Sequence, residues 1–135
     1  MEKKPIIPRG IRNNNPLNIR IGNTWLGETA VNTDKQFEQF VHIKYGLRAG
    51  FVLLRRYIKH YKLNTVNDII SRWAPLSENN TANYINRVCC LTGFEKNTPL
   101  EFEQETMIKL VAAMCKVENG VEVDPKYILQ GWELS

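Results

Sequence analysis

Apolar side chains along residues 107–117 fall at Met107, Leu110, Val111, Met114 and Val117, the i, i+3, i+4, i+7 spacing of a helix with one buried stripe. Gly120 suits the left-handed position that ends such a helix. A second stripe runs through Leu47, Gly50, Phe51, Leu54, Ile58 and Tyr61, with Arg48, Arg55, Arg56, Lys59 and Lys62 largely off it. It predicts an amphipathic helix beginning beyond Gly46, with a solvated basic face. Thr65 and Asp68 form a capping-box variant before Ile69, Ile70 and Trp73, and Pro75 stops that helix. Trp73, at helical spacing from its isoleucine neighbours, reads as a core residue. Asn80 or Thr81 opens a further helix through Tyr84, Ile85, Val88 and Leu91, closed by Gly93. Thr98, Pro99 and Glu101 supply the start of the helix or helix pair that ends at Glu118. Asp124 and Pro125 begin a short last turn of helix.

Upstream, the periodicity differs. Pro5 and Pro8 predict an extended lead-in over residues 1–12. Asparagines crowd residues 13–18, where their side chains bond nearby backbone and tolerate left-handed geometry. Short apolar runs at 19–21 and 36–41 flank a connection rich in Gly, Asn and Thr, which predicts two or three short strands. The expected class is α+β, predominantly α, with four to six helices and a small strand region near the N-terminus. Residues 13–135 form a single domain after the lead-in.

Composition agrees. A chain of 135 residues, 43% hydrophobic and 24% charged, has one modest core. The net charge of +4 suits a polyanionic partner without choosing one. Three cysteines, two of them adjacent, give no disulfide framework and point to folding in a reducing cytosol. The N-terminus lacks the apolar run of a signal peptide, and no apolar stretch reaches the about 18 residues of a membrane span. Synthesis in the cytoplasm, without membrane insertion, is expected; a target outside the cell would need another delivery route. His42 and His60 lack ligand-type companions, so no metal or other cofactor is expected.

Glu118 is the residue whose position carries chemistry. A carboxyl at the end of a core helix leans on apolar side chains and lies near the negative end of the helix dipole, and both influences raise its pKa. Cleavage of a glycosidic bond requires such an acid.

The string LVAAMCKVENG at 110–120 resembles the catalytic helix of the lysozyme-like superfamily, particularly lytic transglycosylases and goose-type lysozymes, whose apolar helix ends in Glu-Ser-Gly or a close variant. Glu118 falls on the family's acid and Asn119 on its serine. Asn14, Asn15, Pro16, Leu17, Asn18, Ile19 and Arg20, followed by Trp25, Leu26 and Gly27, then by Phe37, Phe40 and residues 45–49, resemble the segment that bacterial cell-wall glucosaminidases place after that helix. Residues 9–81 are also similar to small phage and prophage virion structural proteins. In the enzymes the glutamate helix precedes the asparagine turn, whereas here it follows. The resemblance therefore implies a circularly permuted lysozyme-like fold, which adjacent domain termini permit.

This resemblance implies a peptidoglycan-cleaving glycosidase, a muramidase or lytic transglycosylase, with Glu118 as general acid and base. A hydrolase needs a second carboxylate about 5 to 9.5 Å away. Asp34 is the first candidate and Glu78 the second, with Glu28 also considered; a transglycosylase needs only the one glutamate. Trp25, Tyr45 and Tyr84 are candidate stacking surfaces for sugar rings, and Asn14, Asn15 and Asn18 candidate partners for N-acetyl groups. Expected partners are peptidoglycan glycan strands, and other virion or secretion-apparatus proteins, with delivery to the cell envelope or assembly in a virion. The alternative is a noncatalytic phage-type structural or glycan-binding protein on the same scaffold. No nucleic-acid partner is expected, because the basic helix is accompanied by no recognition motif.

Overall fold

The computed structural model describes residues 6–75 and 80–135. Six α-helices occur among them: α1 Arg9–Arg12, α2 Ile43–Arg55, α3 Val66–Trp73, α4 Thr81–Thr92, α5 Gln104–Asn119 and α6 Pro125–Leu134. α2 continues into a π-helical turn, Arg56–His60. None is long and apolar enough to cross a membrane.

Side-chain caps set most of the helix starts. The Thr65 hydroxyl accepts from the Asp68 amide at 3.0 Å, Asn80 Oδ1 from the Asn83 amide at 3.1 Å, and Asp124 Oδ1 from the Lys126 amide at 3.0 Å. Gly93 and Gly120 end α4 and α5 with φ of 80° and 73°, left-handed values that glycine adopts without strain. Four boundaries differ from the sequence expectation. α2 starts at Ile43, ahead of Gly46, because His42 Nδ1 accepts from the Lys44 amide. α5 starts at Gln104: the Leu100 amide donates to Asn64 O at 2.7 Å, which keeps that segment extended beside the approach to α3. Pro8 precedes a full helical turn, α1, within the expected extended lead-in. α6 runs ten residues, more than the short turn expected.

The strand region is also corrected. Among the described residues, two isolated bridges, Arg20 with Phe37 and Glu28 with Phe40, stand in place of strands. Asparagine side chains satisfy the backbone that a ladder would otherwise satisfy. Asn15 Nδ2 donates to Ile19 O and Glu38 O, at 2.9 and 3.0 Å. Asn14 Nδ2 donates to Phe40 O, and the Phe40 amide donates to Asn13 O. With these backbone donors and acceptors paired, an irregular loop can pack against the core in place of a ladder. The fold is predominantly α.

α5 is the central element. Met107, Leu110, Val111, Met114 and Cys115 are fully buried, against α4, α6, α1 and α2. Leu17, Leu47, Phe51, Leu54, Ile69, Ile70 and Val88 close the core around it. Burial stabilises each such side chain by about 1.5–3 kcal/mol, so Leu110→Ala would remove about 2–5 kcal/mol. α2 and α6 pack closely because Gly131 lies directly on Leu47, and Phe51 meets Trp132 edge-on with centroids 5.3 Å apart.

Candidate functional site

The asparagine turn is built to meet the end of α5. Asn14 and Asn18 hold φ of 53° and 52°, a left-handed geometry that asparagine tolerates better than most residues. Asn15, fully buried, stitches the turn to both flanking strands of chain. Asn119 fastens α5 to it: its Nδ2 donates to Pro16 O at 2.7 Å and to Cys115 O at 2.9 Å. Gly10 lets α1 approach this junction, since a Cβ there would stand 2.5 Å from Asn119 Oδ1.

These contacts place Asn18 and Glu118 together across a hundred residues. Asn18 Nδ2 donates to Glu118 Oε1 at 2.9 Å, and the Tyr84 hydroxyl donates to Glu118 Oε2 at 2.9 Å. Burial pushes the Glu118 pKa upward, and the two donated hydrogen bonds only partly offset it. Burial, then the Glu118 charge, raises Tyr84 well above the usual phenol range, so Tyr84 remains a donor. Cys115 is buried one helical turn away and its thiol is pushed up by the same two influences.

Glu118 opens on a cleft of about 670 Å³. Asn18, Ile19, Arg20, Phe37, Tyr57, Arg72 and Trp73 contribute to its lining, and Glu118 is the one carboxylate among the described residues that line it. Trp73, expected in the core, is half-buried at this wall; its Nε1 donates to Leu17 O at 3.2 Å and its ring meets Tyr57 edge-on at 5.7 Å. Helical spacing in α3 gave no sign of this, because Ile69 and Ile70 take the core side and leave Trp73 on the flank. Tyr57 and Arg72 were likewise absent from the candidates, since their neighbourhood depends on the π-turn.

The other candidates lie elsewhere. Asp34 is held in an ion pair with Arg9 at 2.7 Å and accepts from Asn13 Nδ2 and from the amides of Gln36 and Phe37. The Arg9 guanidinium, followed by these donors, keeps its carboxyl far below the usual carboxylate range. Asp34 does not line the cleft and serves as the knot of the loop over residues 32–37. Glu28 pairs with Glu38, a residue overlooked in the sequence. Glu38 is buried, and burial, then the hydrogen bond and charge of Glu28, push it up to about 7. Glu78 lies outside the described residues. Trp25 is buried; Tyr84 is buried with its hydroxyl engaged; the Tyr45 ring rests on Gly27. None of these three offers a face to the cleft. Asn14 and Asn15 are committed to backbone, so of the candidate amides Asn18 alone lines it.

No protein-family model matches the chain. Over 116 residues it is 45% identical to Protein P5 of Pseudoalteromonas phage PM2, an alignment that covers 83% of this chain and 71% of that protein. The chain belongs to the P5 family. The phage side of the sequence resemblance thus has a relative behind it, while the name Protein P5 states no activity. For a P5-family chain, the alternative of a phage structural protein has more direct support than the glycosidase.

Proposed function

We propose that this P5-family chain is a phage protein, assembled with other virion proteins, that takes peptidoglycan glycan strands into the Glu118 cleft and cleaves them on a circularly permuted lysozyme-like scaffold. The observation that carries this reading is the Glu118 carboxyl itself: half-buried, raised in pKa, oriented by Asn18 and Tyr84, and without a second carboxylate among the described lining residues. That arrangement suits the transglycosylase route, which uses one glutamic acid, better than a hydrolase with two. Each carboxyl oxygen accepts one hydrogen bond and keeps a second lone-pair direction, so either can carry the acidic proton. Glu118 gives that proton to the glycosidic oxygen between N-acetylmuramic acid and N-acetylglucosamine as the bond to the anomeric carbon breaks. The resulting carboxylate, stabilised by Asn18 and Tyr84, takes a proton from the muramic acid's own primary hydroxyl. That oxygen closes on the anomeric carbon and leaves an anhydro end. Trp73 and Tyr57 supply aromatic wall for sugar rings.

A second reading, a noncatalytic structural or glycan-binding phage component, is favoured by kinship with a phage protein and by the two donors that already engage Glu118. One experiment separates them. Purified protein is incubated with peptidoglycan and the released muropeptides are identified by mass, then the assay is repeated with Glu118→Gln. Anhydro-ended products that vanish in the variant support the transglycosylase. No products, with the protein retained on sedimented peptidoglycan, would leave the binding role and refute cleavage.

A further inference from the structure

We infer that Arg72 makes the cleft selective for glycan that carries carboxylates, as the peptide stems of peptidoglycan do, over uncharged glycan of the same length. This rests on the reading of the cleft as a glycan site and adds a residue that sets its preference. Arg72 stands at the end of α3 with its guanidinium 4.5 Å from the Tyr61 ring centroid and 5.4 Å from that of Tyr57. Tyr57 is itself braced edge-on by Trp73 and Tyr61, at 5.7 and 6.5 Å. The Arg72 side chain also donates a hydrogen bond to the Tyr57 hydroxyl; these contacts fix the plane of the guanidinium, and its remaining N–H groups are left to receive a carboxylate.

The charges around it point the same way. Arg9 and Arg20 also line the cleft; two hydrogen bonds to Asp34 consume the Arg9 fork, and the Arg20 guanidinium lies over the Phe37 ring. Among the described residues no carboxylate pairs with Arg72. Tyr61, beside Arg72, lines a second groove with Arg55, Arg56 and Lys59, and among the described residues no acidic one shares that lining. The positive field therefore continues from Arg72 along the π-turn, and the cleft's own carboxyl, Glu118, is biased toward neutrality. An uncharged N-acetylglucosamine oligomer gains nothing from this field. A strand bearing acidic stems gains both the fork and the field.

The test uses the full chain carrying Glu118→Gln, so that bound strands stay intact. Two soluble ligands of equal sugar length are titrated, a glycan fragment with peptide stems and an N-acetylglucosamine oligomer, with tryptophan fluorescence and calorimetry as readouts. The expected result is a preference of about tenfold for the stem-bearing ligand at low ionic strength, shrinking as salt is added. Adding Arg72→Gln removes most of that preference and weakens the neutral oligomer far less; Arg72→Lys restores part of it. Equal affinity for both ligands in the parent, a preference that survives Arg72→Gln, or an equal loss for both ligands would overturn the inference and leave the glycan site standing. Failure of both ligands to bind would overturn the glycan reading as well.

Discussion

Replacing Glu118 by glutamine should make the protein more stable as it removes the acid. The carboxyl is half-buried at the end of α5, and burial outweighs the hydrogen bonds from Asn18 and Tyr84 in setting its pKa above the ordinary 4.5. Folding therefore favours the protonated form. Below the ordinary value the folded and unfolded chains are both protonated, and the contribution is fully present. As pH rises, the unfolded chain loses its proton first, and stability falls until the folded group ionises too. Glutamine does not titrate. Its oxygen can accept from Asn18 and its amide can donate to the Tyr84 oxygen, although the Tyr84 hydrogen then loses the acceptor that Glu118 Oε2 supplies. Relief of the desolvated charge is worth about 0.5–2 kcal/mol, or roughly 3 °C in Tm per kcal/mol for a chain of this size. Urea unfolding of both proteins from about pH 4 to about pH 8 measures it, the difference starting near zero and growing with pH. A glutamine variant that is less stable at the alkaline end, yet indistinguishable at the acid end, would show that the two donors outweigh burial and that Glu118 is held as a carboxylate.

Three more outcomes follow from the loop and the turn. Asp34→Asn should cost about 1 kcal/mol near neutral pH, discounted for the exposed Arg9 partner. Because its pKa is lowered, the wild type should keep this contribution above the ordinary 3.8 and lose it progressively as pH falls below that value toward the much lower folded one; a thermal melt that is unchanged while glycan cleavage disappears would restore Asp34 as a catalytic carboxylate. Glu38, pushed up to about 7, should make stability decline between the ordinary carboxylate value and neutrality. Glu38→Gln should flatten that decline by about 1–2 kcal/mol after allowance for solvent at Glu28, and identical pH profiles for the two proteins would argue against a shared proton. Gly46→Ala would drive a methyl into the Asn14 carbonyl, at a cost of about 1–3 kcal/mol in the urea midpoint; an unchanged midpoint would mean the asparagine turn yields.

What the sequence made legible was local. Thr65, Asn80 and Asp124 carry their capping role in their own side chains, and Gly93 and Gly120 carry theirs in the absence of one, so those helix ends could be placed by inspection. Glu118 was singled out as a candidate the same way, from an apolar stripe ending on a carboxylate. The contacts that hold its carboxyl were not legible individually. Tyr84 could be noticed as an aromatic, but its role as a buried donor depends on how α4 lies on α5. Asp34 reads as a free acid until Arg9, 25 residues away, is folded onto it. Trp73, Tyr57 and Arg72 converge only because the π-turn after α2 swings Tyr57 and Tyr61 beside α3. The strands failed for a related reason: a side-chain amide can stand in for a ladder partner, and no alternation of residue types records the substitution.

The bond from Asn18 to Glu118 joins positions a hundred apart. While the chain is being made, Asn18 leaves the ribosome long before its acid exists, and the turn waits without its counterpart. The cluster of Asn18, Tyr84 and Glu118 is thus absent from every nascent fragment and forms only after α5 has emerged and docked.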